Sequence, residues 1–218
     1  MIAYNNASFF SITGTAATFS FATTGANQVM TVAFYNNTDG TDVITGVKYN
    51  GVSLTQLQKT SSLGNATTFS YLYMLVGAAS GTYNLEIDAS SSKNWVGTVG
   101  CWSGCSMGVQ PNASNYVNGS TSNAPSASVT PTVDNCLGII TTTGADGGSA
   151  STGVTLRAQG AGGQAAEFVG DHNAITSPAA AITMAMTGMG TRTHNQWLMA
   201  LAPALSSSPG SAFIISMI

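Results

Sequence analysis

Glu167, Asp171 and His172 are the closest this chain comes to an acid–base set. Proton-transfer chemistry needs two carboxylates, or a carboxylate and an imidazole, held within reach of one bond. These three cluster near one loop, where solvation is the ordinary expectation and a calcium or sugar contact the sharper one. Calcium takes about six to eight oxygens, usually several from carboxylates, and the whole chain has only eight Asp and Glu. Asp39 and Asp42 flank a turn and read as turn formers. Glu86 and Asp88 lie two apart on an extended segment, so they share a face, with solvent the expected neighbour. His194, beside Trp197, reads as edge or turn packing. Serine is abundant, yet no Gly-x-Ser-x-Gly elbow has a plausible downstream pair, and no phosphate loop occurs. No catalytic residue, cofactor or metal is expected, and the chain does not read as an enzyme.

Two other residue classes could carry function. The three cysteines are Cys101, Cys105 and Cys136, and an odd count argues against a disulfide framework. Cys101 and Cys105 flank a Trp-Ser-Gly turn, so they either bridge or remain buried thiols. Without a matching His or Cys cluster their spacing is a weak metal signal. Aromatic faces could form a sugar platform, for which Trp95, Trp102, Tyr116 and Trp197 are the candidates. Trp95 and Trp102 are seven residues apart, hence on opposite faces of one extended strand, which favours core packing. Tyr116 falls in a polar stretch and is the candidate glycan contact.

The elements that must position these residues are strands. Phe19 and Phe21 alternate with Ser20 and Ala22, and Met30, Val32 and Phe34 repeat the pattern. Asn50-Gly51 separates two alternating runs, the strongest short hairpin signal, because both turn residues need φ > 0. Tyr71, Tyr73 and Leu75 point one way, and Leu72, Met74 and Val76 the other. A strand apolar on both faces belongs in the middle of a stack. Further runs are expected at 82–89, 95–102, 126–130, 136–143, 154–158, 180–187, 194–202 and 212–218. No segment holds a helical period for three turns. Residues 103–127 read as a long surface loop, and 144–153 and 160–163 as loop tips. The fold class is therefore all-β: a single jelly-roll-like antiparallel β-sandwich over residues 1–203.

Beyond it, 204–210 reads as a linker and 211–218 as an apolar C-terminal arm or a last strand. Phe213, Ile214, Ile215, Met217 and Ile218 are too apolar to remain in water, each worth roughly 1.5–3 kcal/mol when buried. As an arm they would form an assembly interface, adding a strand to a neighbouring subunit or filling its groove.

Composition narrows the function classes. Of 218 residues 44% are hydrophobic, so the chain is globular, but only 6% are charged, against about 25% in ordinary soluble domains. A surface of Ser, Thr, Asn, Gln and Gly repels copies of itself weakly and tolerates close packing. With five scattered basic residues and net charge −3 there is no basic stripe, so nucleic acid is not an expected partner. No apolar run approaches the ~20 residues that span a bilayer as a helix, so no membrane is expected. The first six residues lack the positive region of a secretory signal.

Several segments resemble those of a family of lectin-like or jelly-roll β-sandwich domains of phage virion structural proteins and bacterial surface proteins. They are Val47-Lys-Tyr-Asn-Gly-Val-Ser-Leu-Thr, Tyr71-Leu-Tyr-Met-Leu-Val with Ser80-Gly-Thr-Tyr-Asn-Leu-Glu-Ile, Val96-Gly-Thr-Val-Gly-Cys-Trp-Ser-Gly, Ser128-Val-Thr-Pro-Thr-Val-Asp-Asn and Gln196-Trp-Leu-Met-Ala-Leu-Ala-Pro. The resemblance implies a capsid decoration or cement protein located in the virion. Its expected partners are copies of itself, in a closed homo-oligomer such as a trimer, and other virion proteins. The alternative is a secreted or cell-surface module, or a tail-fibre domain, that binds a surface glycan or receptor.

Overall fold

β-branched and aromatic residues at alternating positions favour the pleated backbone, and among the described residues every regular element is a strand. The computed structural model describes residues 1–36, 41–63, 68–145, 148–150, 153–162, 165–172, 179–190 and 193–205. The expected arm residues Phe213, Ile214, Ile215, Met217 and Ile218 lie outside the described residues, as does Asp39.

The first half contains β1 (Ala3–Thr23), β2 (Val29–Asn36), β3 (Ile44–Tyr49), β4 (Val52–Ser53), β5 (Thr55–Leu63), β6 (Thr68–Val76) and β7 (Gly81–Ser103). They form one antiparallel sheet in the order β4-β3-β7-β2-β6-β5, with β1 along the other side of β7. The β1–β7 ladder breaks between Gly14 and Ala16, where the partner jumps from Lys93 to Asp88. The ribbon folds there and brings Phe10 and Phe19 of the same strand to 5.6 Å between ring centroids. The Asn5 and Asn6 side chains then bond the backbone of Thr24 and Ala22, drawing the two ends of β1 together. The folded sheet is nearly a barrel, with Phe34, Tyr71, Tyr73 and Trp95 in its core.

The second half contains β8 (Ala113–Ser120), β9 (Ser126–Val129), β10 (Leu137–Ala145), β11 (Ser149–Ala150), β12 (Val154–Gly162), β13 (Ala165–His172), β14 (Ile182–Thr187) and β15 (His194–Leu201). Five strands form a sheet ordered β12-β13-β10-β15-β8, and β11-β14-β9 form a smaller one. The five-stranded sheet is covered on both faces. One face meets the first half through Trp102, Leu72, Ile139, Val169, Trp197 and Met199. The other packs Ile140, Phe168 and Leu198 against Ile182, Met184 and Met186 of the small sheet. Double coverage explains the unbroken apolar run Leu198-Met199-Ala200-Leu201.

The all-β antiparallel sandwich read from sequence is the observed class. Asn50 and Gly51 have φ of 51° and 74° and close the β3–β4 hairpin. Trp95 and Trp102 lie in different cores, on opposite faces of β7.

Other expectations are corrected. Residues 103–127 are not one loop: they contain β8, hydrogen-bonded along β15. Its sequence, Ala-Ser-Asn-Tyr-Val-Asn-Gly-Ser, is polar because it is a half-exposed edge strand. The stretch 144–153 holds β11, and 160–162 continue β12. The segments expected at 82–89 and 95–102 are one strand, β7. β13 falls where a loop was expected, and β1 begins far ahead of Phe19.

Candidate functional site

Two β-bulges set the geometry around the carboxylates expected in a solvated loop. β12 pairs Leu156 with Gly170 but Ala158 with Val169, leaving Arg157 as the extra residue. A bulge re-aims the side chain it carries. Leu156 consequently faces the small sheet while Ala158 faces the first half. The Arg157 guanidinium reaches Asp171 with Nε at 2.8 Å from Oδ2 and Nη2 at 2.9 Å from Oδ1. Trp102 Nε1 donates to the same Oδ2 at 2.9 Å. The Arg157 guanidinium carbon also sits 4.2 Å from the centroid of the Tyr4 ring.

Asp171 is therefore 1% exposed on a central strand, not in a loop. It joins β7, β12 and β13, and through Arg157 reaches β1. A carboxylate that accepts three donors, two of them from a bidentate guanidinium, is strongly held. That disposition makes it a clamp between layers and leaves it poorly placed to take a proton from a substrate.

Glu167 is corrected in the same way: it is buried on β13 with no exposure. The second bulge lies on β10, where the register shifts between Thr142 and Ala145. Gly144, at φ 89°, turns its amide onto Glu167 Oε1 at 2.9 Å. A side chain at that φ would be strained. Glu167 Oε2 has no hydrogen-bond partner among the described residues. Burial, only partly offset by the Gly144 N–H, pushes this carboxyl well above the ordinary carboxylate range. Such a group is a candidate for function wherever a cleft reaches it, but Glu167 is enclosed between sheets. His172, next to Asp171 at the end of β13, is half-buried. His194 is wholly buried on β15, where edge or turn packing was expected.

The other candidates are placed as follows. Tyr116 is on β8 opposite Trp197 and half-buried against the core between the two halves, rather than on an exposed loop. Trp197 Nε1 donates to Asn118 Oδ1 at 2.8 Å, so its polar edge is satisfied locally. All three cysteines are free and buried. Burial raises the Cys101 and Cys105 thiols to about 12, which keeps them protonated and unreactive. Among the described residues no three His, Cys, Asp or Glu side chains gather as a metal set, and no helix is long and apolar enough to cross a membrane.

On the surface, charge is largely cancelled. Lys48 Nζ lies 2.6 Å from Asp88 Oδ2, and Lys59 Nζ 2.7 Å from Asp42 Oδ2. Tyr71 Oη also donates to Asp42, at 2.9 Å. Burial alone would raise the Asp42 carboxyl, but bonds from Lys59 and Tyr71 pull it below its ordinary value. Glu86 and Asp88 face outward as expected, and Asp88 is held low by Lys48.

Arg157 was not among the candidate residues. A single arginine between Leu156 and Ala158 in a run of strand residues is the signal that could have found it, since a charge there needs a buried partner. Gly144 carried no comparable signal. In comparisons with family models, curated proteins and solved structures, nothing matches this chain.

Proposed function

We propose that this chain is a phage virion structural protein, a capsid decoration or cement protein that stabilises the particle through subunit–subunit contacts. One observation carries the reading: a surface with very little net field. The chain has five basic and eight acidic residues. Lys48, Lys59 and Arg157 are each held by a carboxylate, and Glu167 is buried away from solvent. Without a field of one sign, identical copies approach without repulsion. Much of the remaining described surface is Ser, Thr, Asn and Gly, suited to many repeated contacts in a closed homo-oligomer. Of the carboxylates that sequence brought forward as chemistry, Asp171 clamps layers together and Glu167 is buried within the sheet, which also favours a structural role.

The test is the solution mass of the full chain, by size-exclusion chromatography with light scattering, across a range of salt. A defined oligomer, a trimer on this reading, is expected. Its association should not weaken from low to high salt, because apolar contacts are not screened. A chain that stays monomeric at every concentration, or an oligomer dissolved by moderate salt, would sink the proposal. Immunogold labelling of particles from producing cells would then place it on the virion.

A further inference from the structure

We propose that Asn50 is a site of spontaneous covalent modification: through a cyclic imide with Gly51 its side-chain amide becomes a carboxylate, as aspartate or isoaspartate, while the fold protects the second Asn-Gly pair of the chain. The two pairs are Asn50-Gly51 and Asn118-Gly119. In each, a glycine nitrogen follows an asparagine amide, and the absent Cβ leaves the approach unhindered. The nitrogen gives its proton to hydroxide and attacks the asparagine Cγ; the Cγ–Nδ2 bond breaks and ammonia leaves. Water then opens the imide at one of its two carbonyls. One opening gives aspartate, the other isoaspartate, with the backbone routed through Cβ. Sequence makes the two pairs chemically equivalent, but their surroundings differ.

Asn50 and Gly51 form the turn between β3 and β4, and residues 50–53 are all exposed. The Asn50 N–H donates to the Asn84 carbonyl at 3.2 Å, which holds the start of the turn on β7. Among the described residues, neither the Asn50 side chain nor the Gly51 N–H has a hydrogen-bond partner. A Cβ built on Gly51 would meet nothing within 4 Å. Both reacting groups therefore stand in water. Ring closure swings the Gly51 nitrogen toward Asn50 Cγ, so the turn, with φ of 51° and 74°, must open briefly. Opening costs little, because β4 is two exposed residues at the edge of its sheet. The first firmly held residue beyond it is buried Leu54, whose N–H donates to the Val47 carbonyl at 2.8 Å. Aspartate leaves the hairpin intact, since Asp-Gly suits the same turn. Isoaspartate adds a backbone atom between Tyr49 and Val52, which pair directly, and lengthens the turn.

Asn118-Gly119 lies on β8 and is held at both reacting groups. Trp197 Nε1 donates to Asn118 Oδ1 at 2.8 Å. That bond polarises the amide carbonyl and alone would favour attack, yet it also fixes the side chain against β15. The Gly119 N–H donates to Asn195 Oδ1 at 3.0 Å. Asn195 is wholly buried, and its Nδ2 donates to Thr143 Oγ1 at 3.4 Å. Thr143 in turn donates to Ser70 Oγ at 3.0 Å. The nitrogen that would attack is thus committed to a buried network that ends on β6. Releasing it requires β8 to part from β15, against which it is paired from Ala113 to Ser120. That is a much larger opening than the end of a two-residue strand.

The test incubates the full folded chain in mildly alkaline buffer and follows both positions by peptide mass mapping, with the isoaspartate share read by isoaspartyl methyltransferase labelling. Position 50 is expected to convert at least tenfold faster than position 118. In denaturant the two rates are expected to converge, because both pairs are then unstructured Asn-Gly peptides. Asn195→Ala frees the Gly119 N–H and is expected to speed conversion at position 118 while leaving position 50 unchanged. Equal native rates, or a faster one at position 118, overturn the proposal. So does a folded chain in which position 50 stays intact while denaturant converts it. A folded Asn195→Ala chain with position 118 still protected overturns the assignment of that protection to the Gly119 bond. If this variant does not fold, the native and denatured rates of the wild type decide alone.

Discussion

The two outer cores are built from different materials. In the first half, Phe34 is 5.1 Å from Tyr71 and 5.9 Å from Tyr73 in stacked geometry, and meets Trp95 edge-on at 5.9 Å. Phe10 and Phe19 extend the cluster. In the second half, the core under the small sheet sets Met184, Met186 and Met189 among aliphatic side chains such as Ile140, Ile182 and Leu198, with Phe168 its one aromatic among the described residues. Rings impose geometry and add about 0.5–1.5 kcal/mol per pair beyond burial. Methionine adapts to irregular space and specifies shape weakly. The first half thus fixes its layer spacing by ring contact, while the second fills the space under a small sheet with pliable side chains. Between them lies a mixed region, where Trp102, Asp171 and Arg157 form a polar clamp inside apolar packing.

Breaking the aromatic cluster should have the largest effect. Phe34→Ala removes a fully buried ring with four aromatic neighbours and is expected to cost about 3–5 kcal/mol, read by chemical denaturation. Met184→Leu, equally buried, should cost less than about 1.5 kcal/mol because volume is conserved in a tolerant site. Equal losses at the two positions would erase the contrast.

The mixed region has a pH signature. Glu167 has a raised folded pKa, so above the ordinary carboxylate range the folded state binds more protons than the unfolded state. Its contribution therefore falls as pH rises from the ordinary carboxylate range toward the folded value. Glu167→Gln should flatten stability measured from pH 5 to 9, whereas an unchanged slope would mean Glu167 is not the source. Asp42 and Asp88, both held low, act with the opposite sign, and their contribution is lost as acid protonates them.

A thiol reports on each region: Cys101 in the aromatic core, Cys105 in the mixed one and Cys136 in the methionine core. Under native conditions a thiol reagent should modify Cys136 first and Cys101 last, since each must wait for its region to open. The reverse order, by peptide mass mapping, would make the methionine core the firmer one. The smallest effect is expected at the surface: Lys59→Met breaks a solvent-exposed ion pair and should shift stability by less than about 1 kcal/mol.

What the sequence determined by itself was local: strand periodicity, the turn at Asn50-Gly51, the opposed faces of Tyr71 and Leu72 and of Trp95 and Trp102, and a nearly uncharged surface. These follow from side-chain alternation and backbone preference, which act between neighbours. Tyr116 in β8 was not legible, because an edge strand needs only one good face and its pairing partner is supplied by β15. Nor was β13, whose Glu167 and Asp171 look like loop residues until their partners are known. Trp102 lies 69 residues from Asp171, Arg157 is brought round by a bulge, and Gly144 offers its amide only because β10 bends there. Whether a carboxylate is solvated, clamped or buried is decided by groups distant in sequence, and only the packing of layers chooses among them.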